Sequence, residues 1–159
     1  MLASRNGGSP TPLRDIGEVE IARCRRLGTP LSLLVVAREH GGQGAEQSVR
    51  RLPARWRRPS QELERLSTTV EPHVRAYDSL VLDPVGRRIA IVAPEATATD
   101  ADRMRERLEA VLGDAGPVHV GVVTFPDDGA FIHELVARVD ADRRTATAAV
   151  LADGEGVHP

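Results

Sequence analysis

Residues 31–37, Leu-Ser-Leu-Leu-Val-Val-Ala, form a nearly unbroken apolar run of strand length. A strand with one wet face alternates polar and apolar residues; a run without that alternation needs cover on both faces. Such a strand belongs inside a sheet with helices above and below it. The rest of the chain must therefore supply two helical layers and flanking strands.

The pattern supplies them. Thr11-Pro12 read as an N-cap followed by proline at the first helical position. Leu13, Ile16, Val19, Ile21, Cys24 and Leu27 then follow helical spacing, and Gly28 suits the stop. Residues 60–74 carry a second helical pattern through Leu63, Leu66, Val70 and Val74, with Pro72 kinking or shortening it. Leu80-Val81-Leu82 and Ile89-Ala90-Ile91-Val92 flank a turn containing Pro84 and Gly86, a β-hairpin spanning about 77–93. Thr99 with Asp102 resembles a capping box, and Ala101, Met104, Leu108, Val111 and Leu112 mark the apolar face behind it. Val118–Phe125 reads as a strand, Pro126-Asp127-Asp128-Gly129 as a turn, and Ile132, Leu135, Val136 and Val139 as a helix face. Residues 148–152 read as a last strand. The order α-β-α-β-β-α-β-α-β predicts an α/β sandwich built on a mixed sheet.

The 159 residues fit one domain, expected at 11–152, between a disordered tail at 1–10 and a loose end at 153–159. A net charge of -2 gives no global pull toward nucleic acid or an anionic membrane. One cysteine, Cys24, excludes an intrachain disulfide and fits a reducing compartment. No apolar run approaches the roughly 20 residues that span a bilayer, and residues 1–12 lack the apolar centre of a signal peptide; the expected location is the cytoplasm. Every one of the 21 basic residues is arginine, which excludes chemistry that needs a lysine amine.

Several local phrases, in one order, resemble GGDEF domains of diguanylate cyclases over roughly residues 17–147. Residues 20–34, EIARCRRLGTPLSLL, look like the family's opening helix and first strand. Residues 74–78, VRAYD, look like its approach to the signature hairpin, and 89–95, IAIVAPE, like the strand behind it. Residues 120–129, VGVVTFPDDG, and 134–140, ELVARVD, resemble two later family phrases. The resemblance implies a central, mainly antiparallel five-stranded sheet flanked by helices.

It also implies a lost active site. The family holds divalent metal and triphosphate with carboxylates, hard oxygen ligands of the kind such cations take. Where the signature GGDEF stands, this chain has Val85-Gly86-Arg87-Arg88-Ile89; two arginines replace two carboxylates. The metal-binding strand-end aspartate corresponds to Ala37, and Glu39 matches the second acidic position. Gly41–Gly44 occupy the start of the guanine-reading helix, and the terminal lysine expected near Thr147 is absent. The expectation is therefore no catalysis, no metal and no cofactor.

One regulatory motif survives. Arg75-Ala76-Tyr77-Asp78 matches the family's inhibitory RxxD site for cyclic di-GMP, and Arg107 resembles the arginine that assists it from the next long helix. Arginine forks pair with phosphate or with guanine O6 and N7, and aspartate accepts from guanine N1 and N2. The plainer alternative is a local Arg75–Asp78 pair with no ligand.

Other candidates stand beside it. Arg87 and Arg88 at the hairpin tip are candidate anion contacts or solvated arginines. Arg50, Arg51, Arg55, Trp56, Arg57 and Arg58 form a basic segment, read either as solvated surface or as a partner contact anchored by the indole. The five histidines, at 40, 73, 119, 133 and 158, lack paired metal-ligand spacing. His119 is expected on a sheet face and Cys24 in the core. Ser32 and Ser79 lack a nucleophile motif. Two functions remain open: a catalytically inactive receptor for cyclic di-GMP, or an interaction module working through a homodimer or a protein partner.

Overall fold

The structure, a computed structural model, describes residues 12–38, 61–84 and 86–154. The expected tail at 1–10, Thr11, Glu39, the 41–59 segment with Arg55, Trp56, Arg57 and Arg58, and residues 155–159 lie outside them.

Helix α1 spans Pro12–Leu27. Proline costs nothing at its first position, where the N–H would have no partner. Leu13, Gly17, Ile21 and Cys24 make its buried stripe. Gly28 takes a φ of 67°, and Thr29 N donates to Cys24 O at 3.0 Å, the glycine-terminated helix stop.

Strand β1, Leu31–Arg38, follows, and all of Leu31–Ala37 is buried. Its buried polar residue is satisfied: Ser32 Oγ donates to Ala96 O at 2.9 Å and lies 3.1 Å from Thr124 Oγ1. Helix α2 spans Gln61–Val70 and buries Leu63, Leu66 and Val70. Pro72 ends it as expected; the chain tightens into a 3-10 turn over Glu71–His73.

The hairpin is formed by β2, Ser79–Asp83, and β3, Arg88–Pro94, with Asp83 opposite Arg88. Helix α3 spans Ala98–Leu112. Its capping box is Thr97 with Asp100, not Thr99 with Asp102. The two frames overlap in Thr97-Ala-Thr-Asp-Ala-Asp. In the earlier one Thr97 Oγ1 accepts from Asp100 N at 3.2 Å and Thr97 N donates to Asp100 Oδ2 at 3.0 Å, and Ala101 lies on the buried face with Met104, Leu108 and Leu112. Strand β4 spans Val118–Phe125, and helix α4 spans Ile132–Gly154.

Strand order is β2-β3-β1-β4, and each pairing is antiparallel. The expected mixed, five-stranded sheet is thus a four-stranded antiparallel one among the described residues. The stretch predicted as a last strand, 148–152, continues α4. No glycine or proline interrupts the chain between Asp140 and Ala152, and the run is rich in alanine and arginine, both strong helix formers.

Side chains alternate across the sheet into two cores. Leu33, Val35, Val92, Val123 and Phe125 pack against α1 and α4 through Ile21, Cys24, Ile132, Leu135 and Val139. Leu34, Val36, Ile89, Ile91 and Val120 pack against α2 and α3 through Leu63, Leu66, Met104 and Leu108. The α/β sandwich is therefore present.

The α4 layer approaches β4 most closely at Gly121, where an added Cβ would fall 2.5 Å from Val139 Cγ2. A Gly121→Ala substitution is expected to lower stability by about 1–3 kcal/mol, the range for overpacking a filled core. Chemical denaturation of both proteins checks this; equal unfolding free energies would mean that α4 does not rest on β4 at this point.

Candidate functional site

The residues between the 3-10 turn and β2 build a compact charged turn. Asp78 N donates to Arg75 O at 3.0 Å. Arg75 N donates back to Asp78 Oδ2 at 3.1 Å. The Arg75 side chain adds Nε contacts to both carboxylate oxygens at 3.1–3.2 Å and an Nη2 contact to Oδ1 at 3.1 Å. Its Nη2 also reaches Pro94 O at 3.4 Å, tying the turn to the end of β3. The guanidinium lies 4.6 Å from the Tyr77 ring centroid, within cation–π range. Burial alone would lower the Arg75 pKa. The hydrogen bond and charge of Asp78, with smaller help from Tyr77 and Asp100, outweigh it and raise the value above its ordinary one.

Asp78 has no exposed side-chain surface, whereas Arg75 keeps 29%. Asp78 was expected at a ligand together with Arg75 and Arg107; its carboxylate here faces Arg75. Its carboxylate is consumed by Arg75, so it positions the arginine.

Arg75 lines a pocket of about 230 Å³ against α3. Leu34, Ala93, Ala96, Ala101 and Met104 supply its apolar lining. Its polar lining is Arg75, Asp100, Arg103 and Arg107. The two residues 32 positions apart in sequence, Arg75 and Arg107, thus come together as the sequence suggested. Arg103 was not singled out from sequence, although its four-residue spacing from Arg107 puts both on one helix face. Neither makes a hydrogen bond or ion pair among the described residues.

Asp100 sits at the first turn of α3 as part of the capping box. Hydrogen bonds from Thr97, first its backbone N–H and then its hydroxyl, hold the Asp100 pKa below its ordinary value; Arg75 and Arg103 add to this.

The hairpin tip is arranged differently. Arg88 Nε donates to Asp83 Oδ2 at 2.9 Å, and Arg88 Nη1 pairs with Asp140 of α4. Asp83 also accepts from Gly86 N at 3.0 Å. Arg88 is 13% exposed. Arg88, a candidate anion contact or solvated arginine from sequence, is here engaged by two internal carboxylates, Asp83 and Asp140. Arg87 adopts a left-handed φ of 52° beside it. Ala37 stands directly opposite Arg88 in the β1–β3 ladder and opposite His119 in the β1–β4 ladder. Asp140 was part of a family-like phrase, but sequence reading assigned it no role.

Of the remaining candidates, Cys24 is buried in α1, as expected. His119 is half-buried on β4, and His133 stacks on the exposed Phe131 with ring centroids 5.6 Å apart. Among the described residues, no group of three or more His, Cys, Asp or Glu is placed to hold a metal ion, and no helix is long and apolar enough to cross a membrane.

No protein-family model matches this chain, and no curated protein matches it. Solved structures do. A sensory box/GGDEF family protein from Caulobacter crescentus superposes with a TM-score of 0.63 at 18% identity, over 86% of this chain and 90% of that one. A microbial GGDEF domain studied for its interaction with cyclic di-GMP gives 0.56 at 20%, over 86% and 82%. The diguanylate cyclase SiaD from Pseudomonas aeruginosa, solved with its activator SiaC, gives 0.60 at 17%, over 87% of this chain and 58% of that one. Likeness at these identities speaks to the fold. The chain folds as a GGDEF-like domain, as its sequence phrases led us to expect.

The electrostatics of Asp100 set a pH dependence. Its folded pKa is depressed, so the ionised group stabilises the fold above its ordinary value of 3.8, and that contribution disappears as pH falls through the depressed value. An Asp100→Asn variant is expected to melt below the wild type at neutral pH, with the deficit shrinking once pH drops below that ordinary value. Melting temperatures measured from pH 7 to pH 2 decide this; a deficit that stays constant to the acid end would contradict it.

Proposed function

We propose that this chain is a catalytically inactive GGDEF-like domain that acts in cytoplasmic signalling as a receptor for cyclic di-GMP. The observation that carries the reading is the convergence of Arg75, Arg103 and Arg107 on one apolar-lined pocket. Buried Asp78 holds the first of them in a fixed orientation. A preformed guanidinium fork suits bidentate contact with a phosphate or with guanine O6 and N7. At about 230 Å³ the pocket is smaller than the ~300–1,000 Å³ that encloses a drug-sized ligand. It suits one base or one phosphate, with the rest of the dinucleotide lying across Arg103 and Arg107 or against a second protomer. The same fold occurs in a GGDEF domain characterised with this nucleotide.

The reading of inactivity rests on the hairpin. Divalent cations on a triphosphate take hard oxygen ligands. Here Ala37 offers none, and Asp83 and Asp140 are both engaged by Arg88. The residues present do not fit a metal–triphosphate complex, and no catalytic step is assigned to them.

A second reading, an interaction module working through a homodimer or a protein partner without a nucleotide, is favoured by the SiaD structure, a GGDEF-fold protein solved with its activator. In that reading Arg55, Trp56, Arg57 and Arg58 remain the candidate contact.

Titration calorimetry with cyclic di-GMP separates the two. The wild type is expected to bind, and Arg75→Ala and Arg107→Ala are each expected to weaken binding at least about tenfold, equivalent to ~1.4 kcal/mol. Purified protein with GTP and Mg²⁺ is expected to form no cyclic di-GMP. Absence of heat with the wild type removes the receptor reading, and equal binding by both variants moves the ligand away from this pocket.

A further inference from the structure

We infer that the outer edge of β4 is an interface between two copies of this chain, joined β4 to β4 in antiparallel pairing about a two-fold axis through Val120. The inference does not rest on nucleotide binding.

Among the described residues, β4 is one of the sheet's two edges and bonds only to β1. Thr124 tells which of its backbone groups face outward. Thr124 N donates to Asp128 Oδ2 at 2.8 Å, and Asp128 N donates to Thr124 O at 2.8 Å. Both groups of Thr124 therefore point away from β1. The N–H and C=O of one strand residue share a side, and the side alternates along the strand. The β1–β4 register runs without a bulge from Phe125 to Val118. Val122, Val120 and Val118 therefore also face outward, and none of these outward groups finds a hydrogen-bond partner among the described residues.

Natural sheets protect such an edge with charges, prolines, bulges or a covering segment. Between residues 118 and 123 this strand reads Val-His-Val-Gly-Val-Val and has no charged residue, proline or bulge. The stretch is closed at its ends: Gly116 N donates to Gly113 O while Gly116 O accepts from Arg38 Nη1, and Asp128 closes Thr124. The open stretch is thus bounded on both sides.

The stretch is complementary to itself. With Val120 opposite its own copy, Val118 meets Val122 of the second protomer and Val122 meets Val118. Every outward N–H and C=O of these three residues then acquires a partner. A shift by one residue would oppose outward groups to inward ones, and a shift by two would run into the engaged groups of Gly116 or of Thr124. Side chains agree with this register. Val118 and Val122 are only partly buried on the α3 face, and each would be covered by the other's copy. No charged pair of like sign would meet across the axis.

The test is mass against concentration, by light scattering and sedimentation equilibrium, combined with amide hydrogen exchange by NMR. A dimer is expected at high concentration, with the Val118, Val120 and Val122 amides protected there and at least tenfold less protected on dilution. Val122→Pro removes one outward N–H and leaves the β1 ladder intact, a placement that edge strands tolerate; it is expected to give a monomer with Leu33 and Val35 amides still protected. A monomeric mass at every concentration overturns the inference. So does a dimer whose Val118, Val120 and Val122 amides exchange freely, a result that needs no variant to fold.

Discussion

Leu31–Ala37 are all buried, so both faces of β1 need a helical layer and both edges need a strand. The other elements are arranged by that requirement. The hairpin docks through β3 on one edge and β4 docks on the other. α1 and α4 cover one face while α2 and α3 cover the opposite one. Even the buried hydroxyl of Ser32 serves the arrangement, because it bonds to Ala96 O just before the α3 cap. That bond places the start of α3 next to the end of β3, where Arg75 also anchors through Pro94 O. The candidate pocket is thus a consequence of how the central strand is covered.

The two arginine positions that resemble family functional sites have opposite electrostatic situations. Arg75 is held by a fully buried carboxylate on one side and keeps part of its surface open toward Arg103 and Arg107. Arg88 is bracketed by Asp83 and Asp140 and is nearly covered. A guanidinium with spare donors facing a pocket suits an anion; one saturated by two carboxylates is a brace between hairpin and helix. The same residue type thus keeps open surface at one place and is bracketed by carboxylates at the other, and the difference lies in the neighbours.

Much of this was legible in the chain. The glycine stop at Gly28, the proline start at Pro12, the shortening at Pro72 and the hairpin around Gly86 follow from local backbone chemistry, which acts over a few residues whatever the fold. Where tertiary context chooses between two locally sensible options, sequence reading went astray. Thr97 and Thr99 offer overlapping capping frames, and the folded chain uses the first. Residues 148–152 carry enough apolar character for a strand, but they continue an uninterrupted alanine-rich helix. In the site, Arg75 and Arg107 were legible through a motif, while Arg103 and the bracing role of Asp140 had no local signal.

The sequence by itself determined the central strand, the element order through β4 and the replacement of signature carboxylates by Arg87 and Arg88, because periodicity, turn residues and residue identity are properties of the chain alone. Only the tertiary structure decided which arginines are bracketed by carboxylates, that Asp78 is buried behind Arg75, and that one edge of β4 has no neighbouring strand among the described residues. These depend on which charges and backbone groups folding brings within hydrogen-bond distance, and no local pattern encodes distances between residues far apart in the chain.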